Sequence, residues 1–373
     1  MSYDDFIENL GRYLKSGLQD DKFQYQKNCD RRAKNTFDSL SKIIDLNECN
    51  NILDIGSGYG ATCVEFAKSG KHVTGIEYNK EIFDLSLLYI KDLQLNIQIL
   101  NSDASSKDIL SYIQCPFELV LIEDVFEHIY DTYSLIENIH YLAAKKCYLY
   151  FNIPNGYYPD YIIDEVHKHK FGLTLLPPDL WPAVGIGSGF SIYYRSWEYY
   201  KILLNHFNFK IKRKIYLNRI KPKSELLSEI NNKLEMIKKL ATKSDLFKAR
   251  VRGYQKNLLF DYNCATTESF FWKYGVPSWR CVFIYDKCNP INKVNINLDK
   301  LRISSSLELF HDKDYDDYEY AFYFYFGEYV EKIWYTNKPY ATSSFCGDFT
   351  DIQVTAFARH KKDKKIFSLS SLS

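Results

Sequence analysis

The chain has no apolar run approaching the roughly 20 residues needed to cross a bilayer. Its first stretch, MSYDDFIENLGRYLKSG, has neither the basic start nor the apolar centre of a signal peptide. The expectation is a cytoplasmic protein without a transmembrane segment. Nine cysteines are present, but they are scattered and include no C-x-x-C pair. That spacing argues against a disulfide framework or a cysteine zinc site, and it points to buried thiols. Formal net charge is only +1, so the overall balance gives no reason to expect a nucleic-acid partner.

What is present is a globular composition, 46% hydrophobic and 25% charged, with 32 Tyr and 25 Phe against 5 Trp. A length of 373 residues exceeds one ordinary domain, so two domains, or one with large insertions, are expected. Charge is unevenly spread. Between Lys210 and Lys256 fifteen Lys and Arg stand against four acids, while residues 302–351 are acidic. The basic stretch reads as a solvated helical face, or as a surface for an anionic substrate, a partner or a membrane.

Residues 1–50 predict a helical cap, with YDDFIENLGRYL and KNTFDSLSKIIDL placing apolar residues three and four apart. Short β-rich runs then alternate with helical stretches: NILDI, HVTGIE, IQILN, FELVLIED and KCYLYFNIPN are strands separated by helices. Strands without polar alternation, interleaved with helices, predict a parallel sheet covered on both faces. After Pro154 the rhythm breaks, and residues 154–195 read as a lid or acceptor loop, too long for a passive connection. The helix SWEYYKILLNHF, which Ser196 can cap, and the strand NFKIKRKIYL resume the pattern. A basic helical insertion follows over 221–257, and WRCVFIYDK reads as a further strand able to close the sheet. A domain boundary is placed near Asn289. The remainder, 289–373, has only β texture, with YEYAFYFYFGEYVEKIWYT turning at Gly327 and DIQVTAFARHKKDKKIFSL forming a second hairpin around Lys361 to Lys364.

The chemistry is concentrated in NILDIGSGYGATCVEF, residues 51–66. Gly56, Gly58 and Ala61 satisfy G-x-G-x-x-G/A, a dinucleotide pattern. Asp54, Gly56, Gly58 and Gly60 also fit a D-x-G-x-G turn suited to S-adenosylmethionine, because an acid beside the turn suits a cationic ligand. Glu77, ending the second strand, can bind ribose hydroxyls, but dinucleotide folds use such an acid too. Asp103, in ILNSDAS after the third strand, can accept a hydrogen bond from an adenine amine.

The order DIGSGYG, GIEYN, NSDA and FELVLIEDVFEHI, at this spacing, resembles class I S-adenosylmethionine-dependent methyltransferases over roughly residues 45–220, with the strand at 279–287 added. The resemblance implies a doubly wound, mostly parallel seven-stranded α/β sheet with helical insertions, here over residues 51–288. It implies S-adenosylmethionine as cofactor and roles for matching positions. Asp54, Gly56 and Gly58 would hold the methionine end, Glu77 the ribose, and Asp103 with Ala104 the adenine. Glu123 and Asp124 would line the pocket where the methyl group is presented; this pair is more acidic than is usual there, and reads as reaching a substrate or capping a strand end. Tyr59 and Tyr78 would pack against the cofactor or be buried.

A hydroxyl acceptor needs its proton removed, and three histidines are candidates for the base. His128 opens the helix after the fourth strand, facing the pocket by family precedent. His167 and His169 lie in DEVHKHKFGLTLLPPDLWP, which resembles the acceptor-side insertion of bacterial methyltransferases acting on sugars and similar small molecules. A His-x-His metal site with Glu165 or Asp164 lacks a further spaced ligand, so no metal is expected. The tail, YAFYFYFGEYVEKIWYT with DIQVTAFARHKKDKK, resembles an immunoglobulin-like β-sandwich attached to bacterial enzymes of surface-polysaccharide assembly. The reading is O-methylation of a sugar or glycan precursor, with glycan-assembly enzymes as partners through the sandwich. Its rivals are methylation of a quinone, lipid or natural product, a scaffold without turnover, and a nicotinamide dehydrogenase.

Overall fold

The structure is a computed structural model that describes residues 5–8, 28–113, 116–186, 192–242, 244–286, 291–299, 302–309, 317–326, 329–344, 352–362, 364 and 366–372. The expected boundary near Asn289, the turn at Gly327 and most of YDDFIENLGRYL lie outside these residues.

The chain enters through helix α1 (Cys29–Ser41) and then alternates: β1 (Asn51–Ile55), α2 (Ala61–Lys68), β2 (His72–Glu77), α3 (Lys80–Ile90), β3 (Ile97–Asn101), α4 (Ile109–Tyr112), β4 (Phe117–Glu123), α5 (Thr132–Leu142) and β5 (Ala143–Pro154). After α6 (Pro159–Ile163) come α7 (Trp197–His206), β6 (Phe209–Lys214), α8 (Lys223–Ala241), α9 (Asp245–Cys264), α10 (Thr267–Tyr274) and β7 (Ser278–Asp286). The tail holds β8 (Ile291–Asp299), β9 (Arg302–Leu309), β10 (Tyr318–Phe326), β11 (Tyr329–Thr336), β12 (Tyr340–Thr342), β13 (Ile352–His360) and β14 (Ile366–Leu372).

Seven strands form one sheet in the order β3-β2-β1-β4-β5-β7-β6. β1 to β5 run parallel, and β7 lies antiparallel between β5 and β6. WRCVFIYDK is thus an interior strand, and β6 is the edge. The residue types fit these places. Ile52, Leu53 and Ile55 in β1, and Leu119 to Ile122 in β4, are buried almost without interruption, as strands covered on both faces require. β6, FKIKRK, is exposed over its middle, and lysines suit an edge by discouraging further pairing. Helix starts follow side-chain chemistry: Asn79 accepts from the backbone N–H groups of Glu81 and Ile82, Asp131 from Ser134, and Ser196 from Tyr199.

Two expectations change. Residues 154–195 are not a periodless lid: α6 and three 3-10 turns enclose a small core of Leu173, Leu176, Trp181, Ile186 and Ile192, packed on Leu246 and Phe247 of α9. Gly172 has φ 75° and sits so close that a Cβ there would lie 2.5 Å from the Phe247 ring. The helical insertion runs on to Tyr274, beyond 257, because α10 buries Phe270, Phe271, Trp272 and Tyr274 in the main core. The buried-thiol reading holds for Cys49, Cys63, Cys147 and Cys281, whereas Cys264 is exposed.

The tail forms two antiparallel sheets, β11-β10-β13-β14 and β12-β9-β8. Tyr320, Phe322, Phe324 and Val354 of the first share one apolar cluster with Val294, Leu307 and Ala341 of the second, so the sheets pack face to face. Among the described residues no helix is long and apolar enough to cross a membrane.

Candidate active site

Four parallel strands deliver the site. Asp54 stands near the end of β1, Glu77 ends β2, Asp103 follows β3, and Glu123 with Asp124 ends β4. All lie at the carboxyl edge of the sheet, around the point where β1 has β2 on one side and β4 on the other. Ligands of open α/β sheets bind at such a switch point. The loops enclose a cleft of about 890 Å³. Asp54, Gly56, Gly58, Tyr59, Glu77, Tyr78, Asp103, Ala104, Glu123 and Asp124 all line it, and so does His128.

The turn after β1 is built by backbone geometry that side chains would oppose. Gly56 and Gly58 have φ of 71° and 55°, in the left-handed region that favours glycine. A Cβ at Gly56 would lie 2.3 Å from Cγ2 of Val125. The backbone N–H groups of Gly56 and Ser57 donate to the carbonyl of Ile76, at 2.8 and 3.0 Å. Glu77 completes the tie, accepting from the N–H of Gly58 at 3.0 Å and of Asn79 at 2.7 Å.

Electrostatics separate the two cofactor readings. Asp54 is 4% exposed and accepts from the Cys63 thiol at 3.3 Å. Burial, with Glu123 and Glu77 nearby, pushes its carboxyl up to about 8 in spite of that bond. Burial and Asp124 raise Glu123 to about 7, against the pull of Arg32 and Thr36. Burial also raises Glu77, against its backbone hydrogen bonds. Burial, with like-charged neighbours added, disfavours the ionised carboxylates of Asp54 and Glu123, and a cation offsets both. A pyrophosphate would add two negative charges, whereas a sulfonium with an ammonium group relieves the crowding. Arg32 is the only Lys or Arg among the described lining residues, and it is bonded to Asp124. The residues fit S-adenosylmethionine.

Arg32 and Thr36 carry no sequence motif. They come from α1, where Arg32 donates to Asp124 and Thr36 Oγ1 donates to Glu123 at 3.0 Å. The Glu123–Asp124 pair is therefore held by the helical cap. Asp124 sits at φ 54° and also accepts from Asn152 Nδ2 at 3.2 Å. Tyr59 is half-buried, its ring 5.8 Å from that of Phe6. Tyr78 is 77% exposed at the mouth, which removes burial as its explanation. Asp103 is exposed and accepts from the N–H and hydroxyl of Ser105 at 2.8 and 2.6 Å, while Ala104 beside it is buried.

Of the three histidines that are candidates for the base, the structure brings two together. His128 lies on the 3-10 turn Phe126–His128, and its ring meets that of His167 edge to face, centroids 5.1 Å apart. Glu165, fully buried, is bonded to His167 Nδ1 at 2.8 Å and accepts from the backbone N–H of His167 and Lys168, at 3.0 and 2.7 Å, and from the Tyr194 hydroxyl. Burial alone would raise the Glu165 carboxyl, but the bonds from His167 and Tyr194 hold it below its ordinary value. His169 is elsewhere. With φ 51° its ring turns to Asp164, 3.3 Å away, and side-chain exposures of 52% and 61% place that pair on the outside. Glu127 is the acid that sequence reasoning passed over: it is fully buried next to His128, and Oε1 lies 3.8 Å from His128 Nε2.

With this geometry in place, comparison with known proteins is informative. The sequence model of the family described as "Methyltransferase domain" matches residues 24–212. The chain is 31% identical over 85 residues to ribosomal RNA small subunit methyltransferase A of Caldanaerobacter subterraneus, covering 23% of this chain and 31% of that one. It is 26% identical over 169 residues to ubiquinone biosynthesis O-methyltransferase of Aeromonas salmonicida, covering 42% and 69%. The chain thus spans less than a third of the first relative's length and about two thirds of the second's. Magnesium protoporphyrin IX methyltransferase from Synechocystis with bound SAH overlays with TM-score 0.40 at 14% identity, covering 59% of this chain and 91% of that one. The matched span of 24–212 is just over half of the 373 residues, and within it lie the glycine turn, the acidic cleft and His128: the chain belongs to the methyltransferase-domain family, with S-adenosylmethionine as its cofactor.

Proposed function

We propose that the protein is an S-adenosylmethionine-dependent O-methyltransferase of a small hydroxyl-bearing molecule, a sugar or glycan precursor, working in the cytoplasm. One observation carries the reading: the acidic cofactor cleft is lined at one side by His128, and His128 meets His167. Cofactor and acceptor sites thus share a residue.

The cofactor supplies a methyl group on a positively charged sulfur, already a strong electrophile. The protein's work is alignment, water exclusion and proton handling. Asp54 takes the cationic methionine end. Glu77 keeps lone pairs for ribose hydroxyls while it holds Gly58 and Asn79. Asp103 and Ala104 receive the adenine, Tyr78 and Tyr59 flank it, and Glu123 with Asp124 borders the methyl position. The His128–His167 pair stands where the acceptor's proton must go, with Glu165 fixing the His167 ring.

The sugar reading draws on the tail. On the β11-β10-β13 face Trp334 is 63% exposed, and Tyr323 lies with its ring 5.8 Å from Trp334 and 4.7 Å from Phe357. Such an aromatic patch suits binding rather than stability. It supports an immunoglobulin-like module that docks a glycan or a glycan-assembly enzyme. A phenolic or quinone-type acceptor is the second reading, favoured by the likeness to the ubiquinone biosynthesis O-methyltransferase.

Calorimetry with S-adenosylmethionine, followed by S-adenosylhomocysteine release on sugar and phenol panels, tests both levels. Binding is expected to be saturable and lost in Asp54→Ala. No binding to the intact chain would overturn the enzyme class, and release with phenols alone would replace the sugar reading.

A further inference from the structure

Glu127, His128 and His167 each direct a ligand atom into one space, and the three atoms lie within 4.8 Å of one another. Two elements far apart in sequence build this cluster: the 3-10 turn after β4 supplies Glu127 and His128, and the segment after α6 supplies His167. We propose that it is a binding site for a divalent first-row transition-metal ion of the Zn²⁺ class, with Glu165 as the carboxylate that orients His167.

The donor set is the first argument. Two imidazoles and one carboxylate are a common catalytic zinc set, which leaves one position open to water or substrate. Zinc–ligand bonds of about 2.0–2.1 Å in a tetrahedron separate ligand atoms by roughly 3.4 Å, so the side chains need close in by only about an ångström. The carboxylate is the second, independent argument. Glu127 is 0% exposed, and among the described residues neither of its oxygens accepts a hydrogen bond. An unsatisfied buried carboxyl is costly, and a cation between it and the two rings offsets that cost.

The surroundings agree. Glu165 is bonded to His167 Nδ1 at 2.8 Å, which directs Nε2 away from Glu165 as the ligating nitrogen. A histidine ligand regularly has its other ring nitrogen fixed by a carboxylate in this way. Tyr194 and two backbone N–H groups immobilise Glu165 in turn. Asp124 and Glu165 add negative charge around the cluster, Arg32 offsets part of it through its bond to Asp124, and Arg195 spends its guanidinium on the carbonyls of Phe126, Ile129 and Tyr130.

His128 also lines the cofactor cleft, so the cluster adjoins the proposed methyl-transfer site. What the ion does there rests on the proposed methyl transfer. There the cation takes the place of a free imidazole base, since both rings are then ligands: a hydroxyl that it polarises gives its proton to water at the cleft mouth, the O–H electron pair staying on the oxygen. That its binding takes place does not rest on that reading.

The test uses the full chain, free of any affinity tag, stripped with a chelator and titrated with Zn²⁺ or Co²⁺ alone. One ion per chain is expected, with visible Co²⁺ bands of a low-coordinate nitrogen and oxygen site. Glu127→Gln, which conserves volume, and His167→Ala should each weaken binding at least tenfold, whereas His206→Ala, at the half-buried end of α7, should not. Absence of saturable binding below about 1 mM, or binding that survives both Glu127→Gln and His167→Ala, overturns the site. Titrating S-adenosylmethionine into the same stripped protein separates the two ideas. Cofactor binding without metal binding removes only this inference, and metal binding without cofactor binding removes the enzyme reading.

Discussion

Glu77 reaches back across the parallel pair β1–β2 and accepts the backbone N–H of Gly58 at 3.0 Å, fastening the end of one strand to the turn that follows the other. Its second oxygen holds the N–H of Asn79 at 2.7 Å, and Asn79 in turn starts α3. The acid proposed to face the ribose is therefore also the clasp of the glycine turn. Glu77→Ala should lower S-adenosylmethionine affinity at least tenfold and destabilise the fold by about 1–3 kcal/mol, as expected for losing charge-assisted bonds in a buried place. Calorimetry and denaturant unfolding read the two effects, and unchanged affinity would remove Glu77 from the binding site.

Gly56 is constrained twice, by φ 71° and by Val125. Since a Cβ would meet Val125 Cγ2 at 2.3 Å, Gly56→Ala should abolish measurable cofactor binding and lower Tm. In Gly56→Ala/Val125→Ala the clash is gone but the left-handed backbone penalty of roughly 1–2 kcal/mol remains. The double variant should therefore recover part of the stability and not all of it. Full recovery would show that the backbone conformation carries no strain, and no recovery would show that Val125 is not the obstacle.

The sheet and the cofactor side were legible because they are local. Continuous apolar runs mark β1 and β4, glycines mark the turn, and Asp54, Glu77 and Asp103, the acids that the family resemblance singles out, come together along one cleft at the strand ends. The strand order was less so: nothing in WRCVFIYDK says that it inserts between β5 and β6. The acceptor side was half legible. His167 and His169 are two residues apart in an irregular segment, where spacing has no fixed face, and the positive φ of His169 sends it outward. Glu127, Arg32 and Thr36 were not legible. Their roles arise from α1 and the segment after α6 folding over the end of β4, contacts between residues far apart in sequence.

Asp54 makes the cleft sensitive to pH. Its folded-state value of about 8 lies above its ordinary 3.8, and Glu123 at about 7 lies above 4.5. Acids raised in this way bind more protons folded than unfolded between those limits, so their contribution is complete below the ordinary values and is lost as pH rises through 7 and 8. The cofactor-free protein should therefore lose Tm as pH rises from about 4 toward about 8 and level off above that. Asp54→Asn, neutral throughout, should flatten that decline, and thermal unfolding across the range checks it. A decline equally steep in Asp54→Asn would assign the effect to other groups.

Glu165 isolates acceptor chemistry from cofactor binding, because it does not line the cofactor cleft yet holds His167. Glu165→Gln keeps the shape but replaces one accepting oxygen with an N–H₂ group, so either Oε1 stops accepting from the Tyr194 hydroxyl and facing His167 Nδ1 as an acceptor, or Oε2 stops accepting from the backbone N–H groups of His167 and Lys168. The ring of His167 then loses its fixed orientation. With any acceptor that turns over, kcat should fall at least tenfold while the S-adenosylmethionine Kd stays within about twofold, since misplacing an acceptor-side group acts on the chemical step rather than on uniform binding. Tyr194→Phe removes one of the donors to Glu165 and should give a smaller fall of the same kind. Equal losses in kcat and cofactor affinity would mean that Glu165 supports the whole end of the sheet rather than the acceptor side.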